Sequence, residues 1–289
     1  MSKRQAERYR IHAVWFVQWL HLHQYEAART YSELNEQLME YVEMLWDTDC
    51  ELEVCGQTLS AVSYFLMAKG KLSGAWQLFG VWKLQEPPCR AAPMSRQMCL
   101  ALAAHSLLTL RDPEFCLSLL VGFHGLLRPG EILKLRRCDF VFAPNGKSMV
   151  LLLGFTKGGL RKGVSEYVHI DCPICLHAAR LHFEQRNFAN AYERIYSGSE
   201  KRWRDRFEDS LQHFGLCQLG LRPYSLRRGG ATELFTQLGS IDLVMERGRW
   251  RHSATAQIYL VEGAAHLLRF ALSEDCQSML QLYESVWLS

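Results

Sequence analysis

Between residues 30 and 45 the apolar positions Leu34, Leu38, Tyr41, Val42 and Leu45 recur at i, i+4, i+7, i+8 and i+11. That is the repeat of one helix face turned toward a core. Just ahead, Thr30-Tyr31-Ser32-Glu33 offers a side-chain acceptor with Glu three residues on, a capping box that sets the helix start. Leu59, Val62 and Leu66, and then Leu72, Trp76 and Phe79, repeat the apolar spacing. Residues 4–84 therefore predict four or five short helices and no strand. Residues 86–93, Glu-Pro-Pro-Cys-Arg-Ala-Ala-Pro, then hold three prolines in a stretch of seven. Such a run cannot continue a helix and favours an extended linker. The pattern places a small all-α domain at 1–86, a linker at 87–94 and a second domain at 95–289.

The second region opens with two more helices, about 95–108 and 112–126, the latter with Asp112 at the N-cap and Pro113 at the first helical position. Strand signals appear only after these. Residues 138–142 and 148–153 flank Asn145-Gly146, a strong two-residue hairpin signal. A third strand, about 165–170, follows a Lys/Gly-rich turn. Helical patterns resume at Ile174 and run to the C-terminus, with predicted interruptions near 215–223 and at the glycines around 230. The fold class expected is mainly α (α+β): a helical domain, then a mostly helical domain with one small antiparallel sheet.

Composition narrows the function classes. The 289 residues are 48% apolar with a formal net charge of +3, which excludes a polycationic tail or an acidic disordered chain. The charge is uneven. Residues 1–94 carry nine basic and eleven acidic side chains, and residues 95–289 carry 24 and 19. The ten cysteines lack regular spacing, and Cys99 and Cys116 sit inside apolar helical patterns, as buried free thiols do. With no apolar leader at the N-terminus and no run of ~18–20 apolar residues, the expectation is a reduced, soluble, intracellular protein, nuclear or cytoplasmic according to host, with no membrane partner.

Four segments carry candidate chemistry. In Gly125-Leu126-Leu127-Arg128-Pro129-Gly130-Glu131, Arg128 lies between two helices, where free backbone N–H groups and a guanidinium can share an oxyanion. A surface Arg capping a loop is the plain alternative. Lys157, in Thr156-Lys157-Gly158-Gly159, sits in the turn between two strands, where a lysine is usually only solvated. Arg227 and Arg228 open a helix in Pro223-Tyr224-Ser225-Leu226-Arg227-Arg228-Gly229-Gly230-Ala231-Thr232, and the small residues after them allow close backbone packing. Arg249-Trp250-Arg251 precedes Gln257-Ile258-Tyr259 on a short amphipathic helix, where a tyrosine is most often a core residue. Between residues 194 and 251 there are eleven basic and seven acidic residues, with Arg202 and Arg204 beside Trp203. These read as phosphate contacts or as one face of a solvated helix. Cys172-Pro173-Ile174-Cys175 with His177 and His182 crowds all its ligands at one helix start, so no metal is assigned. Gly154-x-x-x-Gly158-Gly159 lacks the Lys-Ser/Thr of a nucleotide loop, so no nucleotide cofactor is assigned either.

In order and spacing these segments resemble the tyrosine recombinase family, the phage-integrase type. Arg128 matches the family's first Arg, Lys157 its hairpin Lys with Lys162 as fallback, and Arg227 the Arg of its His-x-x-Arg box. Trp250 falls at its His/Trp position, nine residues before Tyr259 at the nucleophile. The resemblance runs through residues 95–265, and the preceding helices suit the family's SAM-like core-binding domain. One position departs: the family His is Tyr224 here, a phenol of pKa ~10 and a poor base near neutrality.

The resemblance implies a cofactor-free DNA strand cleavage and rejoining reaction. Tyr259 would attack phosphorus to give a 3′-phosphotyrosyl intermediate. Arg128 and Arg227 would grip the non-bridging oxygens in bidentate fashion, Lys157 would protonate the leaving 5′-oxygen, and Trp250 and Tyr224 would hydrogen-bond the phosphate. Glu131 orients Arg128 or is simply solvated. Arg161, Lys162, Arg202, Arg204, Arg228, Arg249 and Arg251 would contact DNA. The partner implied is duplex DNA, clamped between two domains, with a homotetramer at synapsis in which C-terminal segments pass between subunits. Residues 266–289 are apolar enough for that, or to pack on their own domain. The absence of an arm-binding domain ahead of the helices suits a simple recombinase of a mobile element. Two alternatives stand beside it: a catalytically impaired DNA-binding descendant, favoured by Tyr224, and a type IB topoisomerase-like nicking and closing enzyme.

Overall fold

The computed structural model describes residues 2–48, 50–85, 91–154, 165–257, 259–260 and 272–287. The chain divides into two compact units, Met1–Arg90 and Ala91–Ser289.

The described residues of the first unit form four helices: α1 (Lys3–Leu22), α2 (Tyr31–Asp47), α3 (Leu52–Phe65) and α4 (Ser73–Gln85). The Thr30 hydroxyl accepts the Glu33 amide at 3.2 Å, and α2 buries all five residues of its apolar stripe. α1 packs on α3, and α2 on α4. The expected stripes of the later helices hold only in part. Leu59, Val62 and Leu72 are buried, whereas Leu66, at the end of α3, and Trp76 face solvent. Trp82 fills the core in Trp76's place, its ring 5.5 Å from that of Trp46.

The second unit is built around two helices apolar on nearly every side, α5 (Arg96–Leu108) and α6 (Pro113–His124). Asp112 caps α6 through the Phe115 amide at 3.0 Å, with Pro113 in its first turn. Residues 115–123 are all buried, as a central helix requires. The short α7 (Pro129–Ile132) follows, and then an antiparallel sheet in the order β1 (Phe140–Phe142), β2 (Met149–Gly154), β3 (Glu166–Ile170). Six further helices complete the described chain: α8 (Pro173–Gln185), α9 (Glu200–His213), α10 (Ser225–Leu238), α11 (Ile241–Gly248), α12 (Ser253–Gln257) and α13 (Glu274–Ser285). Among the described residues no helix is long and apolar enough to cross a membrane. The architecture is the mainly helical one expected, with one small sheet among the described residues.

Three details differ from the sequence reading. The β1–β2 connection is not a two-residue turn. Ala143 N bonds to Ser148 O at 2.9 Å and Gly146 N to Ala143 O at 2.9 Å, so the loop is four residues long. Pro144 lacks the N–H a tighter ladder would use. Second, residues 186–199 form no helix or strand, a break the apolar pattern did not announce. Third, α10 runs without interruption through Gly229 and Gly230. These glycines are there for contact: a Cβ at Gly229 would stand 1.7 Å from the Met94 carbonyl oxygen, and one at Gly230 2.1 Å from that of Phe123. Gly230→Ala is therefore expected to lower unfolding stability by ~1–3 kcal/mol, the cost of overpacking against backbone that cannot yield. Denaturant unfolding measures it, and an unchanged midpoint would contradict the packing.

The C-terminal segment packs in cis where it is described. Cys276 and Leu280 are buried in the core of the second unit, and Trp287 Nε1 donates to Leu100 O at 2.9 Å. Residues 266–271 lie outside the described residues.

Candidate active site

The site forms where α6 stops. Gly125 ends that helix, and Leu126 follows with φ +48°, a left-handed conformation rare for a branched residue. The turn presents the Leu126 carbonyl to two cations, accepting from Arg227 Nη1 and from Arg249 Nη2 at 3.3 Å. Arg249 is itself left-handed, φ +60°, at the end of α11. Two non-glycine residues in strained conformations thus meet at one oxygen, each at a cost of ~1–3 kcal/mol that the surrounding contacts must hold.

Arg128 caps α7, its Nη1 2.6 Å from Glu131 Oε1, while Glu131 Oε2 accepts the Arg128 amide and Arg249 Nη2, both at 2.9 Å. Arg249 Nη1 reaches Glu166 Oε2 on β3 at 3.4 Å. Burial alone would raise the Glu131 carboxyl, but Arg249 and Arg128 overcome it and hold the pKa below the usual value. Glu131 is therefore a fixed anion that sets the Arg128 guanidinium. Arg128 keeps a third of its side chain exposed, facing outward from this lattice.

Arg227, on the first turn of α10, is 0% exposed. Its Nη2 donates to Gly248 O at 2.6 Å, and its guanidinium lies 4.6 Å from the Trp250 ring and 5.8 Å from that of Tyr259. Among the described residues it has no carboxylate partner, and its Nε–H has no acceptor. Burial, then the charges of Arg249 and Arg128, bring its pKa down to about 10. It stays cationic at neutrality, with donors to spare from its five N–H groups.

Two phenols close the site. Tyr259 Oη lies 2.8 Å from Tyr224 Oη, and the Tyr259 ring packs 4.7 Å from that of Trp250. Thr232 on α10 fixes the backbone there, its hydroxyl donating to the Tyr259 carbonyl at 2.9 Å. Burial and the bond to Tyr259 raise the Tyr224 phenol above its ordinary pKa. Gly248 is obligatory beneath this packing, because a Cβ there would meet the Trp250 ring at 1.8 Å.

The structure thus gathers Arg128, Arg227, Tyr224, Trp250 and Tyr259, from α7, α10 and the chain around α12, into one cluster. Three arginines (128, 227 and 249) meet two carboxylates (131 and 166), so its described side chains carry a net +1, the charge one phosphodiester would neutralise. Lys157, Arg161 and Lys162 lie outside the described residues. Other basic positions sit elsewhere than expected. Arg249 is not a surface contact: its side chain is 7% exposed and bound to Glu131 and Glu166, because the turn ending α11 points it inward. Arg228, 7% exposed, is likewise drawn inside as Gly229 and Gly230 let α10 sink into the core. Arg251 is exposed. Arg204 pairs with Glu200 at 2.7 Å across one turn of α9, the solvated-face alternative, while Trp203 faces the core with Nε1 2.7 Å from Ser118 Oγ. Arg202 sits beside residues 111–114 at the start of α6, whose twelve residues put ~18 Å between that end and Arg128. Glu166, Thr232 and Gly248 had no local signal in the sequence, since each acts through a partner distant along the chain. Cys172 Sγ lies 3.4 Å from His124 Nε2, and no cluster of three metal-ligating side chains forms among the described residues.

No protein-family model matches the chain, and no curated protein matches its sequence. Solved structures do match. The XerH site-specific recombinase bound to palindromic difH substrate, a post-cleavage complex, has a TM-score of 0.56 at 14% identity, covering 83% of this chain and 71% of that one. The Tn1549 transposon integrase in complex with a circular intermediate DNA has a TM-score of 0.55 at 11% identity, covering 82% and 85%. The chain has the tyrosine recombinase fold.

Proposed function

We propose that this protein cleaves and rejoins DNA strands through a 3′-phosphotyrosyl bond to Tyr259, as a site-specific recombinase or integrase of a mobile element. One observation carries the reading most. Arg227 is a fully buried cation with no carboxylate partner among the described residues, set against two hydrogen-bonded phenols. Burying an unpaired charge is costly unless an anion arrives to meet it. A phosphodiester beside Tyr259 would supply that anion.

In the reaction the Tyr259 oxygen attacks phosphorus and the bond to the 5′-oxygen breaks. The Tyr259 proton goes to solvent water, Tyr224 donates a hydrogen bond to the phosphate, and Lys157 protonates the leaving oxygen. Arg128, partly exposed and aimed by Glu131, and Arg227, from below, take the charge developing on the non-bridging oxygens. A preorganised donor of this kind is worth ~3 kcal/mol. The bond energy is stored in the adduct, so rejoining needs no nucleotide. The recombinase and integrase named above are DNA complexes of the same fold, which supports duplex DNA as substrate; the first unit as a core-binding domain and a tetramer at synapsis follow from the family resemblance alone.

A second reading, a DNA-binding descendant without cleavage, draws on Tyr224 standing where a histidine is expected. Incubating the full chain with a library of nicked duplexes separates the two: a denaturant-stable protein–DNA adduct is expected. If no adduct forms on any duplex while binding persists, the cleavage reading fails. Adducts with no exchange between duplexes would favour a nicking and closing enzyme.

A further inference from the structure

At the end of α6 remote from Arg128, a cavity of about 620 Å³ opens between α6, α8 and α9. Two polar side chains in its wall have no partner among the described residues. These are the Tyr196 hydroxyl and both ring nitrogens of His182, each residue 2% exposed. Native structures rarely leave such groups unpaired. A Cβ at Gly198 would stand 2.7 Å from Tyr196 Oη, so only a glycine there leaves that hydroxyl without a carbon pressed against it.

The charge around them is positive. Four arginines line the cavity against two carboxylates. Arg186 is bound to Glu114 at 2.7 Å and also to Glu193, and Arg206 faces Asp112 at 3.9 Å. Glu114 is further occupied by the amide and hydroxyl of Ser197, at 2.6 and 2.7 Å. Arg111 and Arg202, both exposed, have no ion pair among the described residues. The first turns of α6 and α9 border the space with their positive dipole ends, and the last turn of α8 borders it with its negative one. Burial, then Arg186, lower the His182 pKa to about 4, so at neutrality it offers one donor and one acceptor.

We propose that this cavity binds a small phosphoryl anion, inorganic phosphate or a phosphate monoester, with Arg111 and Arg202 taking its charge and Tyr196 and His182 its remaining hydrogen bonds. The twelve residues of α6 put ~18 Å between the cavity and Arg128, which separates it from the cluster around Tyr259. The volume leaves room for an organic group beside the phosphoryl.

The test is calorimetric titration and thermal unfolding of the full chain with inorganic phosphate and glycerol 3-phosphate, against chloride at equal ionic strength. Saturable one-to-one binding and a rise in Tm are expected. Tyr196→Phe removes a hydroxyl that bonds to nothing in the free protein. It should leave the phosphate-free Tm unchanged or raised, yet weaken phosphate binding about tenfold, the worth of one good hydrogen bond. Arg202→Ser should weaken it at least as much. A phosphate response equal to that of chloride, one that survives both substitutions, or protection by duplex DNA alone would overturn the site.

Discussion

Tyr259→Phe is expected to eliminate the covalent protein–DNA adduct, a fall of ~10⁴-fold or more in cleavage, while the protein stays folded. The stability part follows from the contacts. The hydroxyl bonds to Tyr224 at 2.8 Å, so its loss costs ~0.5–1.5 kcal/mol. The ring contacts with Trp250 and Arg227 and the Thr232 bond to the backbone survive. The chemical part needs a control, because two phenol oxygens 2.8 Å apart can reach the same phosphate. Tyr224→Phe provides it. If Tyr259 is the nucleophile, Tyr224→Phe keeps the adduct and slows its formation by no more than the ~10²–10³-fold that one lost donor costs. An adduct that persists in Tyr259→Phe and disappears in Tyr224→Phe would reverse the roles. Burial and the bond to Tyr259 hold the Tyr224 phenol above its ordinary pKa, which argues against it as the attacking group.

The residues of this cluster are legible in the sequence, and the reason is local. Arg128, Arg227, Trp250 and Tyr259 each sit at a helix boundary marked by its own residues: Pro129 after the first, the glycine pair after the second, a fixed nine-residue interval between the last two. The basic residues that the fold buries show the limit. Arg228 and Arg249 look the same as Arg251 in a sequence, since charge alone does not say which way a side chain points. Their burial depends on Gly229 and Gly230 meeting the Met94 and Phe123 carbonyls, and on a left-handed turn at Arg249. Those contacts join segments more than a hundred residues apart. The same holds for Glu166, whose meaning comes only from Arg249 lying 3.4 Å away. The glycines near 230 failed as helix breakers for a related reason. Their intrinsic cost of ~1 kcal/mol each is small beside the packing they permit.

Arg227 allows activity to be separated from stability. Replacing it by Ala removes four things at once: the donor to Gly248 O, one of two donors to Leu126 O, the stacking on Trp250, and a buried charge. Stranding a buried carbonyl costs ~1–3 kcal/mol. Relieving the charge works the other way. A pKa of about 10 in the folded chain against an ordinary value near 12.5 means that below pH 10 the protonated form disfavours folding, by ~3 kcal/mol. These two nearly cancel, so the cavity left by truncation decides, and Arg227→Ala should destabilise by ~2–5 kcal/mol. Arg227→Met fills the volume without the charge. It should unfold within ~1–2 kcal/mol of the parent protein, yet lose cleavage by ~10³-fold, because no neutral side chain can meet the phosphate charge from below Tyr259. Denaturant unfolding and adduct formation on the same preparation give both values. Cleavage that survives in a folded Arg227→Met protein would show that the buried guanidinium serves the fold alone.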